Sequence, residues 1–158
     1  MKILFICTHN RCRSILAEAI TNHVAGGRMN AKSAGSQPVG EVHPLSLRYL
    51  QEAQIDTTGL TSQSWDEHEQ WQPDVVITVC DSAAGETCPL WFGQTVRAHW
   101  GLVDPSRVEG SEQYIADAFR NTIRLLQHRI QALLDANVDL DDKQQLQHTL
   151  DALGRVEQ

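Results

Sequence analysis

An apolar run and a polar loop open the chain: Lys2-Ile3-Leu4-Phe5-Ile6, followed by Cys7-Thr8-His9-Asn10-Arg11-Cys12-Arg13-Ser14. A continuous apolar run of this kind is typical of a parallel strand that is buried on both faces. Residues 13–25 then carry apolar side chains at helical spacing, and Gly26-Gly27 ends that pattern. The polar loop therefore lies where a strand passes into a helix.

Strand and helix patterns alternate along the rest of the chain. The run from 74 to 80 is dominated by β-branched residues and predicts a central strand. Further strands are predicted over 30–34 and 95–99, helices over 44–54, 64–71 and 111–135, and a loop or marginal helix over 81–93. Repeated strand-then-helix order indicates an α/β fold, a doubly wound parallel sheet with helices on both faces.

A separate helical pattern marks the end of the chain, where Leu146, Leu150 and Leu153 follow the acidic stretch 139–142. We therefore predict a domain over 1–135 and a C-terminal helical extension over 136–158 that packs on it. A contact between two copies of the chain through this helix is the alternative.

Charge and hydropathy restrict the partners and the compartment. The 158 residues include 13 Lys and Arg against 20 Asp and Glu, which gives a formal net charge of −7. An acidic chain lacks the basic face that nucleic acids and anionic membranes require. The apolar run at the N-terminus is too short for a signal peptide, and no segment approaches the length of a spanning helix. We therefore expect a cytoplasmic protein with no nucleic-acid or membrane partner.

The cysteines indicate chemistry, because disulfide frameworks are rare in reducing compartments. The four are Cys7, Cys12, Cys80 and Cys88.

The loop from Cys7 to Ser14 has the properties of an anion site. Ligands of open parallel sheets bind beyond the carboxyl ends of the strands. The first amides of a helix have no intrahelical partners, and the helix dipole favours an anion there. Arg13 adds a bidentate clamp. The same positive field predicts that the pKa of Cys7 falls into the range of about 3.5–7.5, which makes its thiolate a nucleophile.

The whole loop is expected to hold the anion, through Thr8, His9, Asn10, Arg11, Cys12, Arg13 and Ser14. Asn10 is expected to brace the loop through its amide, and Ser14 to donate its hydroxyl to the Cys7 sulfur. A buried cysteine at a strand end beside an unrelated arginine is the simpler structural alternative.

A family resemblance rests on Cys7-x5-Arg13-Ser14 and on a later Asp104-Pro105. Together they resemble the low-molecular-weight protein tyrosine phosphatase superfamily, which includes a branch of arsenate reductases. The resemblance covers residues 1 to about 134. It implies a four-stranded sheet of order 2-1-3-4, Cys7 as the nucleophile and Asp104 as the acid that protonates the leaving oxygen. Without it, Asp104 also fits an ordinary loop residue before a proline.

The two later cysteines distinguish the arsenate reductase branch from the tyrosine phosphatases. Cys80 ends the predicted central strand, and Cys88 follows in a segment broken by Gly85 and Pro89. Taken alone, the two are compatible with a redox pair or with inert thiols, whereas their spacing is unlike that of a structural zinc pair. The pattern from Cys80 to Pro89, followed by His99-Trp100-Gly101, resembles the thioredoxin-coupled arsenate reductases.

That resemblance implies a relay of three cysteines. Cys7 attacks arsenate, Cys80 attacks the Cys7 adduct and releases arsenite, and Cys88 then takes over the disulfide, which thioredoxin reduces. Cys12 is expected to pack beneath the loop without turning over. Phosphate and sulfate are expected to compete with arsenate. The alternative is a tyrosine phosphatase that hydrolyses phosphotyrosine through a cysteinyl-phosphate.

Three positions depart from the family pattern. His9 stands where the family loop commonly has Gly, and Ser106 where tyrosine phosphatases have the Tyr that follows Asp-Pro. Some of the reductases bind potassium through an Asn, a Glu, a Ser and an Asp. Asn10, Glu18 and Ser33 match the first three, but Gln63 replaces the Asp. We therefore expect no metal and no cofactor, with a hydrogen bond from Gln63 in place of the ion.

Overall fold

The sheet has four parallel strands, in a computed structural model that describes residues 1–85 and 95–155. The strands are β1 (Lys2–Ile6), β2 (Asn30–Ala34), β3 (Val75–Thr78) and β4 (Val96–His99), in the order β2-β1-β3-β4. The predicted sheet and its strand order are confirmed. Ile6 pairs with Ala34 on one side and with Thr78 on the other, so three strands end at the same edge where Cys7 begins the loop.

Five α-helices accompany the sheet in the described part of the chain: α1 (Arg13–Ala25), α2 (Pro44–Glu52), α3 (Asp81–Ala84), α4 (Glu112–Ala136) and α5 (Lys143–Gly154). Short 3₁₀ helices span Trp65–Trp71 and Pro105–Arg107. Helix α4 packs against α1, α2 and α5, and α5 also contacts β4. Within the described residues, no helix is both long and apolar enough to cross a membrane.

Local sequence signals explain where most elements end. Helix α1 stops at Gly26, whose φ of 56° is left-handed and suits glycine. The segment predicted as a helix over 64–71 is a 3₁₀ helix that begins with a capping box between Ser64 and Glu67. Strand β3 is shorter than predicted, because Cys80 already caps the start of α3. Most of the segment 81–93 lies outside the described residues.

Trp100 joins the sheet to the C-terminal helix. Its side chain is fully buried beyond the end of β4, and its Nε1 donates a hydrogen bond to Leu150 O at 2.9 Å. Leu146 and Leu150 are buried on the inner face of α5. The predicted helix with its buried leucines is therefore present and packs on β4 and α4. The division of the chain at residue 135 stays a prediction.

Truncating Leu150 to alanine tests this packing. The side chain is fully buried, so Leu150→Ala should lower the free energy of unfolding by about 2–4 kcal/mol. Leu140→Ala is the matched control, since Leu140 is 38% exposed and its loss should cost less than about 0.5 kcal/mol. Urea unfolding followed by fluorescence measures both. Equal effects of the two variants would show that α5 does not contribute to the core.

Candidate functional site

The loop between β1 and α1 is bound to a neighbouring segment through hydrogen bonds to its carbonyl groups. Three of these carbonyls accept backbone amides of the segment 37–43, in the pairs Gln37 N to Thr8 O (2.9 Å), Val39 N to His9 O (3.2 Å) and His43 N to Arg11 O (2.9 Å). These bonds fix three of the loop carbonyls on the side of that segment, so they do not face a ligand on the other side of the loop. The Asn10 amide is used inside the loop, where it donates to Cys7 O at 3.2 Å. A loop held in this way suits an anion site at a strand-to-helix junction.

Asn10 braces the loop, as predicted. Its φ of 47° is left-handed, a conformation that Asn tolerates, and its side chain is fully buried. The side-chain nitrogen donates to Ser14 Oγ at 2.8 Å and to Ser33 Oγ at 3.0 Å. The side-chain oxygen accepts the backbone amide of Gln63 at 2.8 Å. The bond predicted from Gln63 therefore exists, but it comes from the main chain.

The polar network continues away from the loop to Glu18. Ser33 Oγ donates to Glu18 Oε1 at 2.6 Å, and burial raises the pKa of this carboxyl. The Asn10 oxygen, which would have to face a cation, accepts the Gln63 amide instead. Among the residues that the structure describes, no group of three or more His, Cys, Asp or Glu side chains could hold a metal ion.

Arg13, the first residue of α1, supplies positive charge next to the loop. Its Nη1 donates to Leu102 O at 3.1 Å, and its Nη2 lies 3.5 Å from Asp104 Oδ2. Its Nε is buried and has no hydrogen-bond partner within the described ranges. Cys12 provides no side-chain cap for α1, and the first turn contains no acidic residue. The helix start thus offers amides and a buried guanidinium donor to an anion.

Asp104 lies on the loop that follows β4, close to Arg13. Its side chain is 16% exposed and lies between two guanidinium groups, those of Arg13 and of Arg107, whose Nε is 3.6 Å from Oδ2. Its Oδ1 accepts hydrogen bonds from the backbone and the hydroxyl of Ser106. The structure therefore brings the predicted acid to the predicted oxyanion loop.

Cys7 and Cys80 lie just beyond the carboxyl ends of β1 and β3. Both residues are free and buried, and each thiol is the strongest influence on the pKa of the other. The strands bring the two residues close, since Ile6 pairs with Thr78 and the amide of Val79 donates to Ile6 O. Cys80 comes one residue after Val79, where the chain leaves the strand and Cys80 caps α3. The two cysteines predicted at neighbouring strand ends are thus within range of mutual interaction.

The prediction of a lowered pKa at Cys7 is wrong. The interaction with the Cys80 thiol, together with burial, raises the pKa of Cys7, although Arg13 opposes this. The same interaction lowers the pKa of Cys80 to about 5, and the backbone amides of Thr8 and Ala83 add to this effect. The coupling between the two thiols therefore favours the thiolate of Cys80 over that of Cys7, and the amides that donate to Cys80 strengthen this preference.

The turn that carries Cys80 is fixed by two neighbouring segments. Cys80 Sγ accepts the backbone amide of Ala83 at 3.4 Å and lies 3.8 Å from Thr8 Oγ1. His99 bridges the two sides of this turn, with Nδ1 2.7 Å from Thr78 Oγ1 and Nε2 2.9 Å from Asp81 Oδ1. The end of β4 therefore helps to place the second sulfur.

The remaining loop residues differ in burial. Cys12 is buried, and burial raises its pKa to about 12, in keeping with a packing role. His9 and Arg11 are partly buried. Ser14 is fully buried and accepts the Asn10 amide; its predicted hydrogen bond to Cys7 stays a prediction. Cys88 lies outside the described residues, so its predicted role also stays a prediction.

Sequence reasoning missed three functional contacts. The hydroxyl of Thr8 at the Cys80 sulfur, the bridge made by His99 and the hydroxyl of Ser106 on Asp104 were not predicted. Thr8 and His99 belong to motifs that the sequence analysis identified, but a sequence motif does not specify side-chain orientation.

The chain belongs to the low molecular weight phosphotyrosine protein phosphatase family, whose model matches residues 2–147. The arsenate reductase of Staphylococcus xylosus is 38% identical over 122 residues, which is 77% of this chain and 92% of the relative.

Solved structures agree with this membership. An arsenate reductase in the phosphate binding state superposes with a TM-score of 0.70 at 27% identity, over 85% of this chain and 97% of that one. A thioredoxin-dependent arsenate reductase of Corynebacterium glutamicum gives a TM-score of 0.59 at 33% identity, over 82% of this chain and 61% of that one.

Removing the Cys7 thiol should raise the pKa of Cys80 above its value of about 5, because Cys7 is the strongest influence that lowers it. We expect the midpoint to move toward the value of about 8.5 that is usual for a free thiol. The measurement is the pH dependence of Cys80 alkylation by iodoacetamide, read by mass spectrometry in a Cys88→Ser background. Cys7→Ala is compared with Cys12→Ser, which should leave the midpoint in place. An unchanged midpoint in Cys7→Ala would contradict the coupling between the two thiols.

Gly35 is the closest neighbour of the loop backbone. A Cβ at this position would lie 2.4 Å from Thr8 O and 2.5 Å from Cys7 O, so Gly35→Ala must displace the loop. We expect a loss of about 1–3 kcal/mol in the free energy of unfolding, together with weaker phosphate binding by calorimetry. Gly85→Ala is the control, because within the described part of the chain the nearest atoms that a Cβ there would meet are Ser82 O at 3.8 Å and Asp81 O at 3.9 Å. Wild-type phosphate affinity in Gly35→Ala would show that the loop tolerates the shift.

Proposed function

We propose that this protein reduces arsenate to arsenite through Cys7, Cys80 and Cys88, with thioredoxin as the electron donor. The observation that carries the proposal is the placement of two free thiols, Cys7 and Cys80, at the ends of adjacent strands beside the oxyanion loop, where each strongly shifts the pKa of the other. Hydrolysis of a phosphate ester needs one nucleophilic sulfur. Reduction needs two electrons, which a pair of thiols supplies when it forms a disulfide.

Binding of arsenate is supported by the loop and by Arg13. Three loop carbonyls are bound to the segment 37–43 and do not face a tetrahedral oxyanion on the other side of the loop, and the buried Arg13 Nε is a donor for it. Phosphate and sulfate have the same shape and should compete at this site. The local positive field also explains how a chain of net charge −7 attracts an anion.

The first step forms a bond between the Cys7 sulfur and arsenic. Cys7 passes its proton to the neighbouring Cys80, and its thiolate attacks arsenic. One hydroxyl of arsenate takes a proton from the protonated carboxyl group of Asp104, which lies 3.5 Å from Arg13, and leaves as water; Asp104 is then a carboxylate. Arsenic is still pentavalent at this stage.

The second step transfers the electrons. Cys80 loses its proton again and attacks the Cys7 sulfur, so that a sulfur–sulfur bond forms while the sulfur–arsenic bond breaks. The electron pair of that bond stays on arsenic, which leaves as arsenite. Cys88 then attacks Cys80 and frees Cys7 as a thiolate, and the two thiols of thioredoxin reduce the Cys80–Cys88 disulfide.

The similar proteins also support the proposal. The relative from Staphylococcus xylosus and both solved structures reported above are arsenate reductases, and one of these structures is described as thioredoxin-dependent. Free thiols at Cys7, Cys12 and Cys80 suit a reducing compartment, so we propose that the protein acts in the cytoplasm.

Hydrolysis of phosphotyrosine is the second candidate. Cys7, Arg13 and Asp104 are assembled as the family's phosphatase chemistry requires, through a cysteinyl-phosphate that water cleaves. Hydrolysis has no use for the proximity of Cys7 and Cys80, which is why we rank it second.

Separate Cys80→Ser and Cys88→Ser variants distinguish the two functions. Each should reduce arsenate-dependent oxidation of thioredoxin by at least about 100-fold, because a hydroxyl cannot carry the disulfide. Slow hydrolysis of an aryl phosphate should survive in both, since Cys7 and Asp104 are intact. Arsenate turnover is followed through NADPH consumption by thioredoxin reductase. Cys12→Ser is the control and should keep most of the turnover. Wild-type arsenate turnover in either relay variant would exclude the relay.

A further inference from the structure

Ser106 makes the shortest contact of Asp104. Its Oγ donates a hydrogen bond to Asp104 Oδ1 at 2.6 Å, and its backbone amide donates to the same oxygen at 3.0 Å. The Asp104 side chain is only 16% exposed, so water competes little for these bonds. A hydrogen bond from a hydroxyl to a carboxylate at this distance belongs to the strong class.

The two oxygens of Asp104 are therefore not equivalent. Oδ1 is occupied by Ser106, whereas Oδ2 is the atom nearest to Arg13 Nη2, at 3.5 Å, and to Arg107 Nε, at 3.6 Å. Since Arg13 adjoins the oxyanion loop, Oδ2 is the oxygen on the side of the loop. Rotation of the carboxyl group would exchange the two oxygens, and the bonds from Ser106 oppose that rotation.

We propose that Ser106 is a positioning residue for Asp104, which it holds with Oδ2 toward the bound oxyanion. The inference rests on the proposed function, because it takes Asp104 as the acid of the Cys7 reaction. An acid transfers its proton efficiently only from an atom within hydrogen-bond reach of the leaving oxygen. Ser106 therefore acts on the rate of the reaction through Asp104.

The backbone of the turn also holds the Asp104 side chain. Pro105 begins the 3₁₀ turn Pro105–Arg107, and the backbone amide of Ser106 donates a hydrogen bond to the side chain of Asp104, the N-cap residue of this turn. The backbone bond persists in any variant of Ser106, so the fold of the turn does not depend on the hydroxyl. Loss of the hydroxyl removes one of the two hydrogen bonds to Asp104 Oδ1 and leaves the one from the backbone amide.

The test is a double-mutant cycle on Ser106 and Asp104. Ser106→Ala should lower the rate of the first turnover roughly tenfold, with less than about a twofold change in the KM for arsenate. Ser106→Thr keeps a hydroxyl and should restore most of the rate. In an Asp104→Asn background, Ser106→Ala should have no further effect, because the acid that it positions is absent. The rate is measured without thioredoxin, as loss of free thiols after mixing reduced enzyme with arsenate.

Ser111→Ala is the control for a merely structural role. It removes a serine hydroxyl that caps α4 through Tyr114 N and should lower stability without changing the rate. Equal effects of Ser106→Ala in the wild-type and Asp104→Asn backgrounds, or no effect in either, would overturn the positioning role. If the wild type reduces no arsenate, the proposed function fails. The same cycle is then measured on aryl phosphate hydrolysis, where Asp104 serves the same role.

Discussion

The proximity of Cys7 and Cys80 is the constraint on which the site depends. β1 and β3 are adjacent parallel strands whose carboxyl ends lie side by side, because Ile6 pairs with Thr78. Adjacent strands lie about 4.8 Å apart, which is within the range that lets two cysteine side chains interact. Cys7 follows β1 directly, whereas Cys80 has left β3 and caps α3, so the start of that helix also sets the position of the second sulfur. The buried strands and the turn after β3 therefore control the distance between the two thiols.

Electrostatics at the loop follows from the same packing. Because the two thiols interact, the pKa of Cys7 is raised and that of Cys80 is lowered, and the amides that donate to Cys80 add to the lowering. Because the loop carbonyls are bound to the segment 37–43 and Asn10 is fixed by three polar partners, the loop cannot turn its carbonyls inward. The donors proposed for an anion are therefore held in place locally, in a chain whose formal net charge is −7.

The elements and the main chemical groups could be predicted from the sequence, because both depend on short-range patterns. The apolar run before Cys7, the glycines after α1 and the Asp104-Pro105 pair each carry a local signal. The lowered pKa of Cys80 and the raised pKa of Cys7 could not be predicted, because they depend on the mutual approach of the two thiols and on amides contributed by two different turns. Likewise, the sequence showed only that Ser106 replaces the tyrosine found in tyrosine phosphatases. Its hydrogen bond to Asp104 depends on the rotamer of the Ser106 side chain, which residue spacing does not predict.

The C-terminal helix shows how a distant segment becomes part of this arrangement. A Cβ on Gly154 would lie 2.5 Å from His99 O, so α5 approaches the end of β4 as closely as a backbone allows. Trp100, the next residue, bonds to α5 through Leu150 O, and the side chain of His99 holds Thr78 and Asp81 on either side of Cys80. The end of β4 is therefore fixed by α5 on one side and by the Cys80 turn on the other. A displacement of α5 would have to move the strand end that places the second sulfur.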